Sequence, residues 1–156
     1  LAHGTIHFKP PHLLRVEQET PRPEAVITDG RTLWWYIPQK RQVYRYPSEK
    51  LGQELQILSD VFQGLKGVEE SFVAVLTDPD DKGRYRIELR PEPPWPEVTH
   101  ILLTVEPDTW FIRVIEIHNP LGGFTRFTLG APEPREHFDE DFFSFKVPDG
   151  VRVIEE

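Results

Sequence analysis

Apolar and charged residues alternate along much of this chain. In Tyr85-Arg86-Ile87-Glu88-Leu89-Arg90 the apolar side chains fall on one face of an extended strand and the charged ones on the other. Ile101, Leu103 and Val105 repeat the period of two, as do Phe143, Phe145 and Val147. Such alternation predicts antiparallel sheet with one apolar and one wet face. Strands are expected at 3–9, 13–20, 24–29, 32–37, 42–46, 70–77, 84–90, 98–106, 110–118, 123–129 and 142–147. Asp29-Gly30, Gly122-Gly123 and Asp149-Gly150 read as turns, and residues 78–83 as a polar hairpin loop. The prolines from Pro91 to Pro96 break the ladder and are expected to cross an edge.

One stretch departs from this period. Between Ser48 and Leu65 the apolar residues Leu51, Leu55, Ile57, Leu58, Val61, Phe62 and Leu65 follow spacings of three and four, which predicts an amphipathic helix over 48–65. Ser48 is a natural N-cap, and Gly64 or Gly67 a natural stop. The expected class is therefore mainly β (α+β). About eleven strands are many for a flat open sheet, because twist makes such sheets curl. A curled sheet has a concave apolar face, and the helix has a stripe to lay across it as a lid.

Composition narrows what such a fold could serve. The chain has 156 residues, enough for one domain with one core, and 16 Pro and 10 Gly suit many short strands joined by turns. Its net charge of −8 disfavours nucleic acid and anionic membrane surfaces, both of which need surplus Lys and Arg. With no Cys, thiol catalysis and thiolate metal sites are excluded, while the redox compartment stays open. The chain opens at Leu1 without an initiating Met, so it is expected to derive from a longer gene product.

Constellations that could carry chemistry are thin. His3 and His7 share a face on a strand but lie roughly 13 Å apart, too far for one metal ion. The acidic run Glu133, Glu136, Asp139, Glu140 and Asp141 lacks the Gly and alternation of a calcium loop, and reads as a solvated segment. No Gly-x-Ser-x-Gly elbow or phosphate-binding loop occurs. Trp34-Trp35-Tyr36 could stack on bases, but the charge argues against it, so one Trp is expected on the inward face and the other opposite. The inward set there is Leu33, Trp35 and Ile37. Arg84, Arg86 and Arg90 are expected on an outward, solvated face.

Four segments together resemble the LolA family of outer-membrane lipoprotein carriers. They are Gly4 to Val16 with its Pro10 corner, Val26 to Pro38 with Asp29-Gly30-Arg31-Thr32-Leu33-Trp34, Ile87 to Pro91, and Phe143 to Val151. The resemblance implies a single domain over 1–156, opening after the helix and first strand with which family members begin. It also implies an eleven-stranded antiparallel half-barrel under a helical lid, and a periplasmic, monomeric carrier with no cofactor and no enzymatic activity. The implied partners are acylated lipoproteins, an inner-membrane lipoprotein-releasing transporter and an outer-membrane receptor, with no nucleic acid. A lipid- or protein-binding envelope sensor on the same fold is the alternative.

On this reading Phe8, Leu14, Val16, Leu33, Trp35, Ile87, Leu89, Phe127, Phe143 and Phe145 line an acyl-chain cavity, and Leu55, Leu58, Phe62 and Leu65 close it. Family members carry an Arg latch where this chain has Pro10, which has no donor to offer. Lys9 cannot replace it, because neighbours on a strand point to opposite faces.

Overall fold

The computed structural model describes residues 2–10, 13–47, 53–63 and 71–155, with the backbone alone at 53–56 and 63. The chain divides into two compact units, Leu1–Gln63 with Glu136–Glu156, and Gly64–Arg135.

The first unit holds a six-stranded sheet. Its strands are β1 (His3–Lys9), β2 (Leu13–Thr20), β3 (Glu24–Thr28), β4 (Thr32–Ile37), β5 (Gln42–Pro47) and β11 (Arg152–Glu155), ordered β1-β2-β3-β4-β5-β11. Local chemistry makes the turns. Asp29 Oδ1 accepts the backbone N–H groups of Arg31 and Thr32 at 2.8 and 3.0 Å, and Gly30 takes a positive φ of 91° between β3 and β4. A 3-10 turn at Pro38–Lys40 ends in Arg41, whose φ of 50° lies in the left-handed region. The Arg41 carbonyl accepts the Arg152 N–H at 2.9 Å, and from there β11 runs parallel to β5. The helix α1 (Gln53–Gln63) falls inside the expected 48–65, and the ends of that stretch lie outside the described residues.

The second unit holds β6 (Phe72–Thr77), β7 (Tyr85–Pro91), β8 (His100–Val105), β9 (Ile112–His118) and β10 (Phe124–Thr128), ordered β10-β9-β8-β7-β6 and antiparallel throughout. Alternation works here as expected. Leu89, Ile101, Leu103, Ile115 and Ile117 share one face and are buried. Arg86, Glu88, Arg90, Glu116, His118 and Arg126 share the other. On that polar face Arg90 pairs with Glu88 and Arg126 with Glu116, each at 3.1 Å. His100 and His118 stack at 4.4 Å. Burial pulls the His100 imidazole below its ordinary value, and the neighbouring His118 adds to the shift.

Two expectations need correction. The strands hydrogen-bond as two ladders rather than as one sheet of eleven. Residues 142–147, expected as the last strand, instead run through turns: Phe142 N–H donates to the Asp139 carbonyl at 3.0 Å, and Ser144 N–H to that of Asp141 at 3.1 Å. These contacts close the backbone locally and leave it no ladder to join. The last strand is the four-residue β11, and its pairing with β5 is the one parallel step among the described strands.

Candidate apolar binding site

Residues directly opposite in an antiparallel ladder point to the same face. The register places Phe8 opposite Leu14, Ile6 opposite Val16, Val16 opposite Val26, and Val26 opposite Trp35. Leu14 faces Thr28, which in turn faces Leu33. Trp35 faces Tyr44 and stacks on it at 5.1 Å. Ile6, Phe8, Leu14, Val16, Val26, Leu33, Trp35, Ile37 and Tyr44 therefore form one continuous surface on the six-stranded sheet. Its polar members include Thr28, whose hydroxyl accepts the Gly30 N–H, Tyr46 opposite Leu33, Gln18, Thr20 and Glu24 at one strand end, and Gln42 and Arg152 toward β11.

The helix α1 reaches this surface through Phe62, whose ring lies 5.7 Å from that of Phe8. Ile57, Leu58 and Val61 on the same helix are buried, following the three-four spacing. Such an arrangement suits apolar chains: each methylene removed from water contributes about 0.8 kcal/mol, and few polar groups would dictate orientation.

The opposite face of this sheet departs from the expectation of a wet surface. The C-terminal segment of the first unit packs on it. Phe145 meets Trp34 at 5.3 Å and Tyr36 at 5.2 Å, while Phe142 meets His7 at 4.9 Å. Phe138, Phe142 and Phe143 form a cluster with ring separations of 5.0–5.2 Å. Arg15 secures the segment, donating from Nη1 to the Phe142 carbonyl at 2.8 Å, with its guanidinium 4.6 Å from the Phe142 ring centre and its Nε on Glu17.

The structure thus groups the expected lining residues unevenly. Phe8, Leu14, Val16, Leu33 and Trp35 share one face, Phe62 meets Phe8, and Leu58 is buried on α1. Ile87, Leu89 and Phe127 share the apolar face of the five-stranded sheet, in the other unit. Phe145, expected with Phe8 and Trp35, lies on the reverse side of their sheet, and Phe143 belongs to the cluster there. The reason is the loss of the expected strand: once 142–147 turns instead of extending, its aromatic residues no longer alternate across a ladder. The Leu55 side chain and Leu65 lie outside the described residues.

The two indoles do divide between the faces, with Trp35 on the same face as Val26 and Tyr44 and Trp34 on the reverse. Lys9 pairs with Leu13, points away from the Phe8 face and is exposed, as is Pro10 at the end of β1. Arg84 stands before β7 and pairs with Asp80 at 3.3 Å, so of the three arginines only Arg86 and Arg90 belong to the polar face. Sequence reasoning missed the aromatic cover over Trp34. Its signal was the density of Phe138, Phe142, Phe143 and Phe145 among acidic residues that are themselves exposed.

Comparison with known proteins points to one family. The family model described as outer membrane lipoprotein carrier protein LolA matches residues 1–146. An outer-membrane lipoprotein carrier protein of Alkalilimnicola ehrlichii is 29% identical over 154 residues, covering 97% of this chain and 67% of that protein. One of Hahella chejuensis is 25% identical over 165 residues, covering 98% and 72%. A third, of Histophilus somni, is 48% identical over a shorter stretch of 40 residues, 26% of this chain and 20% of the relative.

Proposed function

The chain belongs to the LolA family of outer-membrane lipoprotein carrier proteins, and from that premise we propose that it carries lipoproteins across the periplasm by burying their acyl chains on the Phe8–Trp35 face. The observation that carries this reading is the continuous apolar surface of β1 to β5, met at Phe8 by Phe62 of α1. No covalent step is required of it. The protein works as a chaperone, holding in a soluble form what water would otherwise drive to aggregate.

In this reading residues 1–156 act as one carrier domain and α1 is the lid. Phe8, Leu14, Val16, Leu33 and Trp35 line the binding surface, and Leu58 and Phe62 of α1 close it. A lipoprotein N-terminus bears two or three long acyl chains, so complete burial at about 0.8 kcal/mol per methylene would hold cargo too firmly to release. A lid that opens at modest cost resolves that conflict. The aromatic contact of Phe62 with Phe8 is of this kind, worth about 0.5–1.5 kcal/mol beyond its area. Loading draws its energy from an inner-membrane lipoprotein-releasing transporter, and an outer-membrane receptor takes the cargo. The carrier acts as a monomer.

Native mass spectrometry of delipidated protein with a triacylated lipopeptide tests this. We expect a one-to-one complex with the lipopeptide and none with the same peptide lacking its acyl chains. Equal binding of the two peptides would mean that the chain recognises polypeptide and not lipid.

A further inference from the structure

The five-stranded unit carries a feature that acyl binding does not use. Trp110 sits in the hairpin joining β8 and β9, with φ of +62°, a conformation that Gly adopts freely and bulky residues rarely. The hairpin is well tied: Glu106 N–H donates to the Phe111 carbonyl, and Trp110 N–H to the Glu106 carbonyl, each at 2.9 Å. The Trp110 side chain is nonetheless 66% exposed. One face of its indole stacks on Tyr85, at 5.4 Å and 16° between ring planes.

The surroundings are acidic and already organised. Arg84 Nε contacts Asp80 at 3.3 Å and Glu106 at 3.9 Å, and Arg113 Nε contacts Glu106 at 3.2 Å, which joins the β6–β7 and β8–β9 loops. Asp80 also accepts the N–H groups of Lys82 and Arg84. With both arginines engaged, exposed Asp78, Asp81 and Asp108 have no ion-pair partner among the described residues, and Lys82 is the cation beside them.

We propose that Trp110, backed by Tyr85, is a docking point for a cationic segment of a partner protein, whose Arg or Lys lies over the open face of the indole. The carboxylates of Asp78, Asp81 and Asp108 supply the opposing charge. Three considerations converge on this. A cation over Trp is the strongest of the cation–aromatic pairings. Trp and Tyr anchor protein interfaces far more often than their surface share would suggest. Strained backbone held in place by its surroundings marks ligand clamps, whereas a purely structural turn at this φ would be served better by Gly. The same excess of carboxylates, on a chain of net charge −8, opposes docking on an anionic membrane.

The test follows the Trp110 indole N–H by NMR in the intact 156-residue chain, with an acetylated, amidated tetra-arginine peptide as probe. A Gly-Ser peptide of equal length serves as control. We expect a saturable shift of the Trp110 resonance with tetra-arginine and none with the control. Trp110→Gly should weaken peptide binding, followed by other amide shifts, by roughly fivefold or more, while Trp110→Phe keeps most of it. Because Gly suits the backbone, the melting temperature of Trp110→Gly should be unchanged or higher. Equal peptide affinity for Trp110→Gly and wild type would overturn the proposal, leaving only general attraction to an acidic protein. A lowered melting temperature of Trp110→Gly with unchanged peptide binding would overturn it in favour of a packing role. A Trp110 shift with phosphatidylcholine vesicles but not with peptide would overturn it in favour of a lipid contact.

Discussion

The six-stranded and five-stranded sheets use the same antiparallel ladder but treat their second faces differently. In the five-stranded sheet one face is apolar and the other carries Arg86, Glu88, Arg90, Glu116 and Arg126 in ion pairs and solvent. In the six-stranded sheet both faces hold aromatic residues. Trp35 and Phe8 stand on the side met by α1, while Trp34, Tyr36 and His7 lie under the C-terminal phenylalanines. Covering the reverse side with the protein's own chain frees the first side from having to serve as the sole core of its unit. A sheet already stabilised from behind can present an apolar surface to an exchangeable ligand, and the five-stranded sheet has no such cover among its described residues.

The sharpest way to break this comparison is to remove the cover. Phe143, 5% exposed and packed on Phe138 and Phe142, should cost about 3–5 kcal/mol when replaced by Ala. Phe124 on the polar face of the five-stranded sheet, 50% exposed, should cost about 1 kcal/mol or less. Urea midpoints measure both. Similar losses would mean that the C-terminal segment is an ornament and that the two sheets are not differently supported.

Gly4 sharpens the comparison at the edge of the six-stranded sheet. A Cβ at this position would lie 1.9 Å from the Glu17 carbonyl oxygen, a backbone atom held in the β1–β2 ladder that cannot yield cheaply. Gly4→Ala should cost about 1–3 kcal/mol. It should also speed amide exchange in β1 and β2 while leaving β7 to β9 unchanged. Uniform acceleration would show that the two units open together.

The same difference explains what could be read from the sequence. Period-two alternation located the strands of the five-stranded sheet and assigned Ile87 and Leu89 to one face and Arg86, Glu88 and Arg90 to the other, because one face there is wet. Phe8, Leu14, Val16, Leu33 and Trp35, grouped on the family resemblance, share one face, and within β4 alternation itself paired Leu33 with Trp35. It failed where both faces are apolar. Phe143, Phe145 and Val147 mimic a strand, yet the Asp139 and Asp141 carbonyls capture the N–H groups three residues on and turn the chain. The placement of β11 depends on a parallel partner, β5, far away in sequence, and no local pattern encodes it.

The smallest expected effect concerns pH, on the wet face. Burial, with His118 adding to it, holds His100 below its ordinary value of 6.5, so in the window between the folded and unfolded pKa the unfolded chain binds more protons. Stability should therefore fall slightly as pH drops through 6.5 and level off below the folded pKa. His100→Gln should flatten that part of a melting-temperature profile taken from pH 7.5 to 5. An unchanged profile would mean that His100 does not carry the slope.

The central claim, acyl binding on the Phe8–Trp35 face and not on its reverse, is tested most directly with a fluorescent fatty acid. Its affinity would be measured for the wild type, Phe62→Arg and Phe145→Ser, with circular dichroism to confirm that each variant folds. Placing a charge where Phe62 meets Phe8 should weaken binding about tenfold or more, while the change at Phe145 should leave affinity near that of the wild type. Undiminished binding by Phe62→Arg, or loss of binding confined to Phe145→Ser, would contradict the account.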